Sequence, residues 1–152
     1  MTTVTPAPAD NRRAIVRIVG HEMVRIATAM APAHNDDIIE YFVFTAIWVL
    51  NSQHIIGDER YAPLRSIPPD AQRRPISMEE LRRTAPMPDH ILTAYVEKMV
   101  ANGIVERKPA GLVVPSAVFT QPGMVDGAND LYSRMVGMVT AMRNAGFSFG
   151  DA

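Results

Sequence analysis

The stretch RPISMEELRRTAPMPDHILTAYVEKMVANGIVERKPAGLVVPSAV, residues 74–118, decides the fold of this chain. Its first hydrophobic residue, Ile76, is predicted to lie in a short extended segment. Ser77 and Glu80 have the S-x-x-E spacing of a capping box, in which both side chains bond the free N–H groups of a helix start. This pattern predicts a short helix that runs through Arg83.

A second helix and a hairpin are predicted to follow. Pro88 suits the first position of a helix, and Gly103 suits the C-terminal cap position, where a helix ends. The apolar residues of this helix predict its inner face, and they are Leu92, Val96, Met99 and Val100. Residues 104–108 and 112–115 are predicted strands, joined by the reversal at Pro109-Ala110-Gly111.

This order of a short strand, two helices and a hairpin is that of a winged helix-turn-helix, a module most often used to hold duplex DNA. The segments ISMEELRR, MPDHILTAYVEKMVANGIVER and KPAGLVVP resemble the two helices and the wing of bacterial winged-helix transcription regulators. The pattern V-x-x-M-V-A-N-G-I-V-E-R is the most diagnostic part. The flanking layout loosely resembles the multiple-antibiotic-resistance-regulator (MarR) type, in which N- and C-terminal helices build a homodimer.

The rest of the chain is predicted to be helical around this module. The expected fold is mainly α with a small β-hairpin wing, a winged helix-turn-helix flanked by N- and C-terminal dimerisation helices. The predicted segments are a disordered N-terminus (1–9) and one domain (10–152), with N-terminal helices (10–57), a Pro-rich connector (58–73), the winged module (74–118) and a C-terminal helix (124–146).

The helices outside the module have distinct apolar patterns. The first helix, with Asp10 as its predicted cap, carries a narrow stripe typical of a helix–helix seam, formed by Ile15, Val19, Met23, Ile26 and Met30. The second, with Asn35 as its predicted cap, is apolar on nearly all sides and is predicted to be central and buried. The last, capped by Asp126 or Asn129, repeats apolar residues at Leu131, Met135, Met138 and Met142.

Composition narrows the possible functions. The formal net charge of −1 excludes a uniformly basic coat for nucleic acid, although a local basic face remains possible. No cysteine is present, which excludes disulfides and thiolate chemistry. The polar N-terminus lacks the order of a signal peptide, and the apolar residues 38–50 are too few to span a bilayer. A cytoplasmic protein that does not enter membranes is expected.

The resemblance implies that the second helix of the module enters the major groove of double-stranded DNA, with lysine and arginine on the phosphates. The candidate DNA-binding residues are Arg73, Arg74, Arg82, Arg83, His90, Thr93, Lys98, Arg107 and Lys108. Residues 73–118 have a net charge of +2, whereas residues 34–70 have −4. We expect the arginines to supply most of the affinity, and His90 and Thr93 much of the selectivity.

Two alternatives to DNA binding remain open from the sequence. The module could contact another protein, or the chain could be a ligand-binding accessory protein that has lost DNA binding. No catalytic motif is found, so no enzyme activity is expected, and the histidines lack the spacing of metal ligands, so neither a metal nor another cofactor is expected.

A small-molecule effector is a further possibility. The hypothesis is a pocket between the terminal and central helices, lined by Met23, Tyr41, Phe44, Trp48 and Met138. Methionines adapt readily to varied ligands, but the same residues could form ordinary core and a dimer seam.

Overall fold

The computed structural model describes residues 10–148, and the predicted disordered segment 1–9 lies outside them. The chain is mainly helical with one small antiparallel sheet of two strands. The helices are α1 (Arg12–Met30), α2 (Ile38–Ser52), α3 (Met78–Thr84), α4 (Asp89–Ala101), α5 (Ser116–Phe119) and α6 (Pro122–Asn144). The strands are β1 (Glu106–Lys108) and β2 (Gly111–Val113).

Helix α2 runs through the centre of the fold, as predicted. Asp37, rather than Asn35, caps it, because its carboxylate accepts hydrogen bonds from the N–H groups of Ile39 and Glu40. Asn35 instead ends a short turn with a left-handed backbone, at φ 57°. The prediction of burial on nearly all sides is wrong in part, since Phe42 is 48% exposed. In the described part of the chain, no helix is both long and apolar enough to cross a membrane.

Helices α3 and α4 begin and end close to the predicted positions. Ser77 Oγ accepts a hydrogen bond from the Glu80 N–H at 3.1 Å, which confirms the Ser77 half of the predicted capping box. The reciprocal bond from the Ser77 N–H to the Glu80 carboxylate is not found among the described residues. Pro88 is the N-cap of α4 rather than its first residue. Gly103 follows the end of α4 with φ 74°, a conformation that favours glycine, and so confirms the predicted stop.

The hairpin is confirmed, and Ile76 adds a third backbone segment beside it. Strands β1 and β2 pair Lys108 with Gly111 next to the turn. Ile76 exchanges two backbone hydrogen bonds with Leu112, at 3.0 and 2.7 Å. Both side chains are buried, and they join the inner faces of α2, α3 and α4 in one core.

Asn51 ties this core to α2. Its side chain is fully buried near the end of α2. The amide donates to the carbonyl oxygens of Arg74 (2.7 Å) and Leu112 (3.0 Å) and accepts from the Val114 N–H (3.0 Å). The Asn51 carbonyl also accepts from the Arg74 N–H at 2.9 Å. One side chain therefore fixes α2 against both the start of residues 74–118 and strand β2.

Helices α1 and α6 pack against each other in antiparallel directions. Asn11 before α1 donates to the Ala145 carbonyl after α6, and Met30 at the end of α1 lies beside Gly127 near the start of α6. Asn11, not Asp10, is the N-cap of α1, although it makes no side-chain capping bond. Helix α6 begins at Pro122, so neither Asp126 nor Asn129 caps it.

The predicted apolar seam of α1 is thus occupied within one chain. Ile15, Val19 and Ile26 are half-buried and Met30 is buried. Met23 differs from them, because 66% of its surface is exposed.

The Pro-rich connector is more ordered than a free loop. It contains short helical turns at Glu59–Tyr61 and Asp70–Gln72. Its end is locked to α5, because the Ser116 N–H donates to Asp70 Oδ1 at 2.7 Å and the Ser116 hydroxyl donates to the Pro68 carbonyl at 2.7 Å.

Candidate nucleic-acid interface

The candidate interface is the outer face of α4, opposite the buried Leu92 and Val96. His90 and Ala94 are exposed on it, and Thr93 is half-buried. Two carboxylates, Asp89 and Glu97, lie on the same helix eight residues apart. At a rise of 1.5 Å per residue, they are separated by about 12 Å along the helix axis.

Arginines from neighbouring elements lie against each of these carboxylates. Arg82, near the end of α3, donates to Asp89, and Arg107, in β1, donates to Glu97. All four side chains are substantially exposed. The two guanidinium groups therefore flank the outer face of α4, one near its beginning and one near its end.

Two further candidates are also paired at the surface. Arg83 donates to Glu79 within α3 at 3.1 Å, and Lys108 Nζ lies 3.8 Å from Glu106 in β1. Exposed pairs of this kind contribute about 0–1 kcal/mol, so a stronger anion can displace the carboxylate. Arg74 is exposed at the entrance to α3 and makes no ion pair with any residue in the described range.

Lys98 does not belong with the outer-face residues. Its Nζ lies 3.7 Å from Glu40, a carboxylate of α2 that is 1% exposed. Asn35 donates to the same Glu40 carboxylate at 2.9 Å. The prediction that Lys98 contacts DNA is not supported, because Lys98 offsets a buried charge on the side of α4 that meets α2.

A second polar link joins α4 to α2 beside Lys98. The Tyr95 hydroxyl donates to Asp37 Oδ2 at 2.6 Å. This bond, together with backbone hydrogen bonds and the charge of Lys98, lowers the pKa of Asp37 below its usual value. Asp37 thus caps α2 and anchors α4 at once, which fixes the orientation of the outer face.

Arg73 is the clearest correction to the predicted DNA-binding set. It is 6% exposed. Its Nε donates to Ser116 Oγ at 3.2 Å and its Nη2 to the Pro68 carbonyl at 3.1 Å, and its guanidinium lies 4.5 Å from the ring centre of Phe119. Burial lowers the pKa of Arg73, partly opposed by Asp70. A guanidinium in this position faces the interior and does not reach a DNA backbone.

Without Arg73, six basic and five acidic side chains remain between residues 74 and 118, a net charge of +1. The charge of the candidate interface is therefore smaller than the sequence predicted. Its position, around the outer face of α4, is what favours contact with an anion.

The predicted effector pocket is wrong as a set. Tyr41 and Phe44 pack on the buried ring of His34, with ring centres 5.3 and 4.7 Å away. Met138 lines a cavity of about 430 Å³ between α1 and α6. Trp48 lines a separate cavity of about 830 Å³ at the C-terminal end of α2. Exposed Met23 lines neither.

Sequence reasoning missed Asn51, Glu40 and the Asp37–Tyr95 bond. The available signal was polarity out of place, because Glu40 and Asn51 interrupt an otherwise apolar helix and buried polar side chains need partners. Among residues 10–148, no three His, Asp or Glu side chains cluster closely enough to hold a metal ion.

Comparison of the chain with protein-family models, curated proteins and solved structures finds no match. Its function is therefore inferred from its own geometry.

Proposed function

We propose that this protein is a DNA-binding transcriptional regulator that acts in the cytoplasm as a homodimer, with residues 74–118 as its winged helix-turn-helix. One observation carries the proposal: α4 presents an exposed face flanked by Arg82 and Arg107, with the hairpin beside it. In this arrangement α4 lies in the major groove and the hairpin lies on the phosphate backbone.

Binding requires an exchange of partners. Phosphates replace Asp89 and Glu97 as acceptors for Arg82 and Arg107, and the two carboxylates then face the DNA. A carboxylate near phosphate is repelled, although it can accept a hydrogen bond from cytosine N4. His90 and Thr93 are the groups on this face that can contact bases or phosphates whether the arginines pair with carboxylates or with phosphates.

The carboxylates therefore provide a direct test. Replacement of both Asp89 and Glu97 by the amides (D89N/E97Q) frees two arginines and removes two negative charges. We expect affinity for mixed-sequence duplex DNA to rise by about tenfold or more at low salt. Fluorescence anisotropy with a labelled duplex measures the change.

The matched variant removes the cations instead. R82Q/R107Q is expected to bind at least tenfold more weakly than the wild type and to show a smaller salt dependence, by about one unit of slope per lost phosphate contact. D130N, which alters the Arg134 pair on α6 and lies outside residues 74–118, serves as the control. Equal affinities for all four proteins would contradict the proposed interface.

The homodimer proposal rests on apolar surface left exposed by the α1–α6 pair. Val16, Met23 and Val24 on α1 are each at least 66% exposed, and Tyr132 on α6 is 68% exposed. Val16 and Met23 are seven residues apart and so lie on the same side of the helix. Large apolar side chains exposed together on one helix are typical of a protein–protein interface, and a second copy of the chain offers the same surface.

A double charge substitution on this surface tests the dimer. V16E/M23E is expected to be monomeric at micromolar concentration, because burial of two carboxylates in an apolar contact is costly. Light scattering after size-exclusion chromatography gives the mass. Asn102→Glu, at an exposed position outside α1 and α6, is the control and should leave a dimer. A monomeric wild type, or a V16E/M23E dimer, would refute this interface.

A second candidate function is contact with another protein through the same face. One observation favours it: Arg82, Arg83, Arg107 and Lys108 already have carboxylate partners in the free chain. Mixed charges of both signs suit a protein partner that also carries both. If the protein does not bind duplex DNA even at low salt, this alternative is favoured.

A further inference from the structure

A cavity of about 830 Å³ lies between the end of α2, the Pro-rich connector and the first turns of α6. Its size is within the range of small-molecule sites in proteins, about 300–1,000 Å³. Most of its surface is apolar, and the large apolar or aromatic side chains in its wall include Trp48, Ile55, Tyr61, Leu64, Phe119 and Met124. The cavity therefore suits a ligand with an apolar body.

Among the described residues that line this cavity, Arg73 is the one cation. Its two hydrogen bonds use Nε and Nη2. Within residues 10–148, Nη1 has no hydrogen-bond acceptor, and no carboxylate lies within 4.0 Å of the guanidinium. Asp70 acts on the buried guanidinium only from beyond that distance, so an anion in direct contact with Arg73 gains more than it would at the surface.

We propose that the cavity binds a small apolar carboxylate, with its hydrocarbon body against Trp48 and Phe119 and its carboxylate on Arg73. The chemistry of the wall selects this class. Apolar walls exclude highly charged ligands such as nucleotides, and a guanidinium favours a carboxylate over a neutral or cationic head group. The site is independent of the outer face of α4, so it stands whether or not the protein binds DNA.

The location also indicates a consequence of binding. Thr84, the last residue of α3, reaches the cavity wall, as does Pro68, which accepts from Arg73 and Ser116. A carboxylate that bonds Arg73 thus contacts the junction between the connector, α3 and α5. This gives the ligand a physical route to residues 74–118.

The ligand class can be tested with the wild-type protein alone. Trp48 is the single tryptophan of the chain and lies in the wall, so its fluorescence reports occupancy. Decanoate, decan-1-ol and decyltrimethylammonium share one hydrocarbon body and differ in head-group charge. Titrations below their micelle concentrations are expected to give at least tenfold tighter binding for decanoate than for either of the others.

Two variants locate the site. Ala128→Phe places a ring in the cavity and is expected to weaken decanoate binding at least tenfold, whereas Asn129→Phe, one residue along α6 and outside the wall, should bind like the wild type. Arg73→Gln is expected to abolish the preference for decanoate over decan-1-ol. Circular dichroism confirms that each variant is folded.

Three results would overturn the proposal. These are no binding of decanoate by the wild type, equal or tighter binding of decan-1-ol or the ammonium compound, and equal weakening by Ala128→Phe and Asn129→Phe. Calorimetry supplies the same affinities without a fluorescence signal and so checks that quenching by the ligand is not mistaken for binding.

Discussion

Replacement of Asn51 by leucine is expected to lower the free energy of unfolding by about 3–5 kcal/mol. The side chain is fully buried and makes three hydrogen bonds, to Arg74, Leu112 and Val114. Leucine has a similar volume but removes the partners of the Arg74 carbonyl and the Val114 N–H, each at a cost of about 1–3 kcal/mol, whereas the Leu112 carbonyl keeps the Ile76 N–H. Chemical denaturation followed by circular dichroism measures the loss.

A neighbouring substitution controls for the change in helix α2. Ser52 donates only to the Trp48 carbonyl of its own helix, at 2.8 Å. Ser52→Ala should therefore change the free energy of unfolding by no more than about 0.5 kcal/mol. If Asn51→Leu is as stable as Ser52→Ala, then Asn51 does not join α2 to the hairpin in the way described.

Gly111→Ala is expected to destabilise the protein by about 2–4 kcal/mol, because the hairpin passes too close to Ile76 for any side chain. The backbone of Gly111 has φ 139°, which side-chain-bearing residues rarely adopt. A Cβ atom there would lie 2.2 Å from the Ile76 carbonyl oxygen, and backbone cannot move away without loss of the Ile76–Leu112 bonds.

Gly20→Ala is the matched glycine substitution. Gly20 lies inside α1, and a Cβ atom added to it would have nothing within 4 Å, so alanine should stabilise the helix by about 0.5–1 kcal/mol. Thermal unfolding of both variants separates the two effects by sign. A Gly111→Ala protein that melts with the wild type would contradict the close approach of the hairpin to Ile76.

The elements that were predicted correctly are those whose cause is local. The Ser77 cap, the Gly103 stop and the Gly111 reversal each depend on a few adjacent residues. Their backbone requirements are therefore visible in the sequence itself. The apolar character of α2 is also visible in the sequence, and it predicted the central position of this helix.

The features that were missed depend on residues far apart in the chain. Arg73 is predicted as a phosphate contact because it precedes the module, but Ser116 and Phe119, more than forty residues later, enclose it. Met23 shares its spacing with seam residues, yet α6 does not cover it. A one-dimensional pattern does not contain these encounters.

In the candidate interface, too, some features could be predicted from the sequence and others depend on packing between distant residues. The basic residues around α4 could be found from the sequence, and the acidic residues could be counted. Which acid meets which base depends on the packing of α3 and β1 against α4, which places Arg82 on Asp89 and Arg107 on Glu97. Those pairings set the charge that the outer face of α4 presents, and they make the carboxylates as informative to test as the arginines.

The most direct test of the central claim is the affinity of the wild-type protein for mixed-sequence duplex DNA as a function of salt concentration. If α4 and its flanking arginines contact phosphates, the logarithm of the association constant falls linearly with the logarithm of salt, with a slope of about −0.9 per phosphate contacted. No binding at low salt, or an affinity that does not change with salt, would contradict DNA binding through this face.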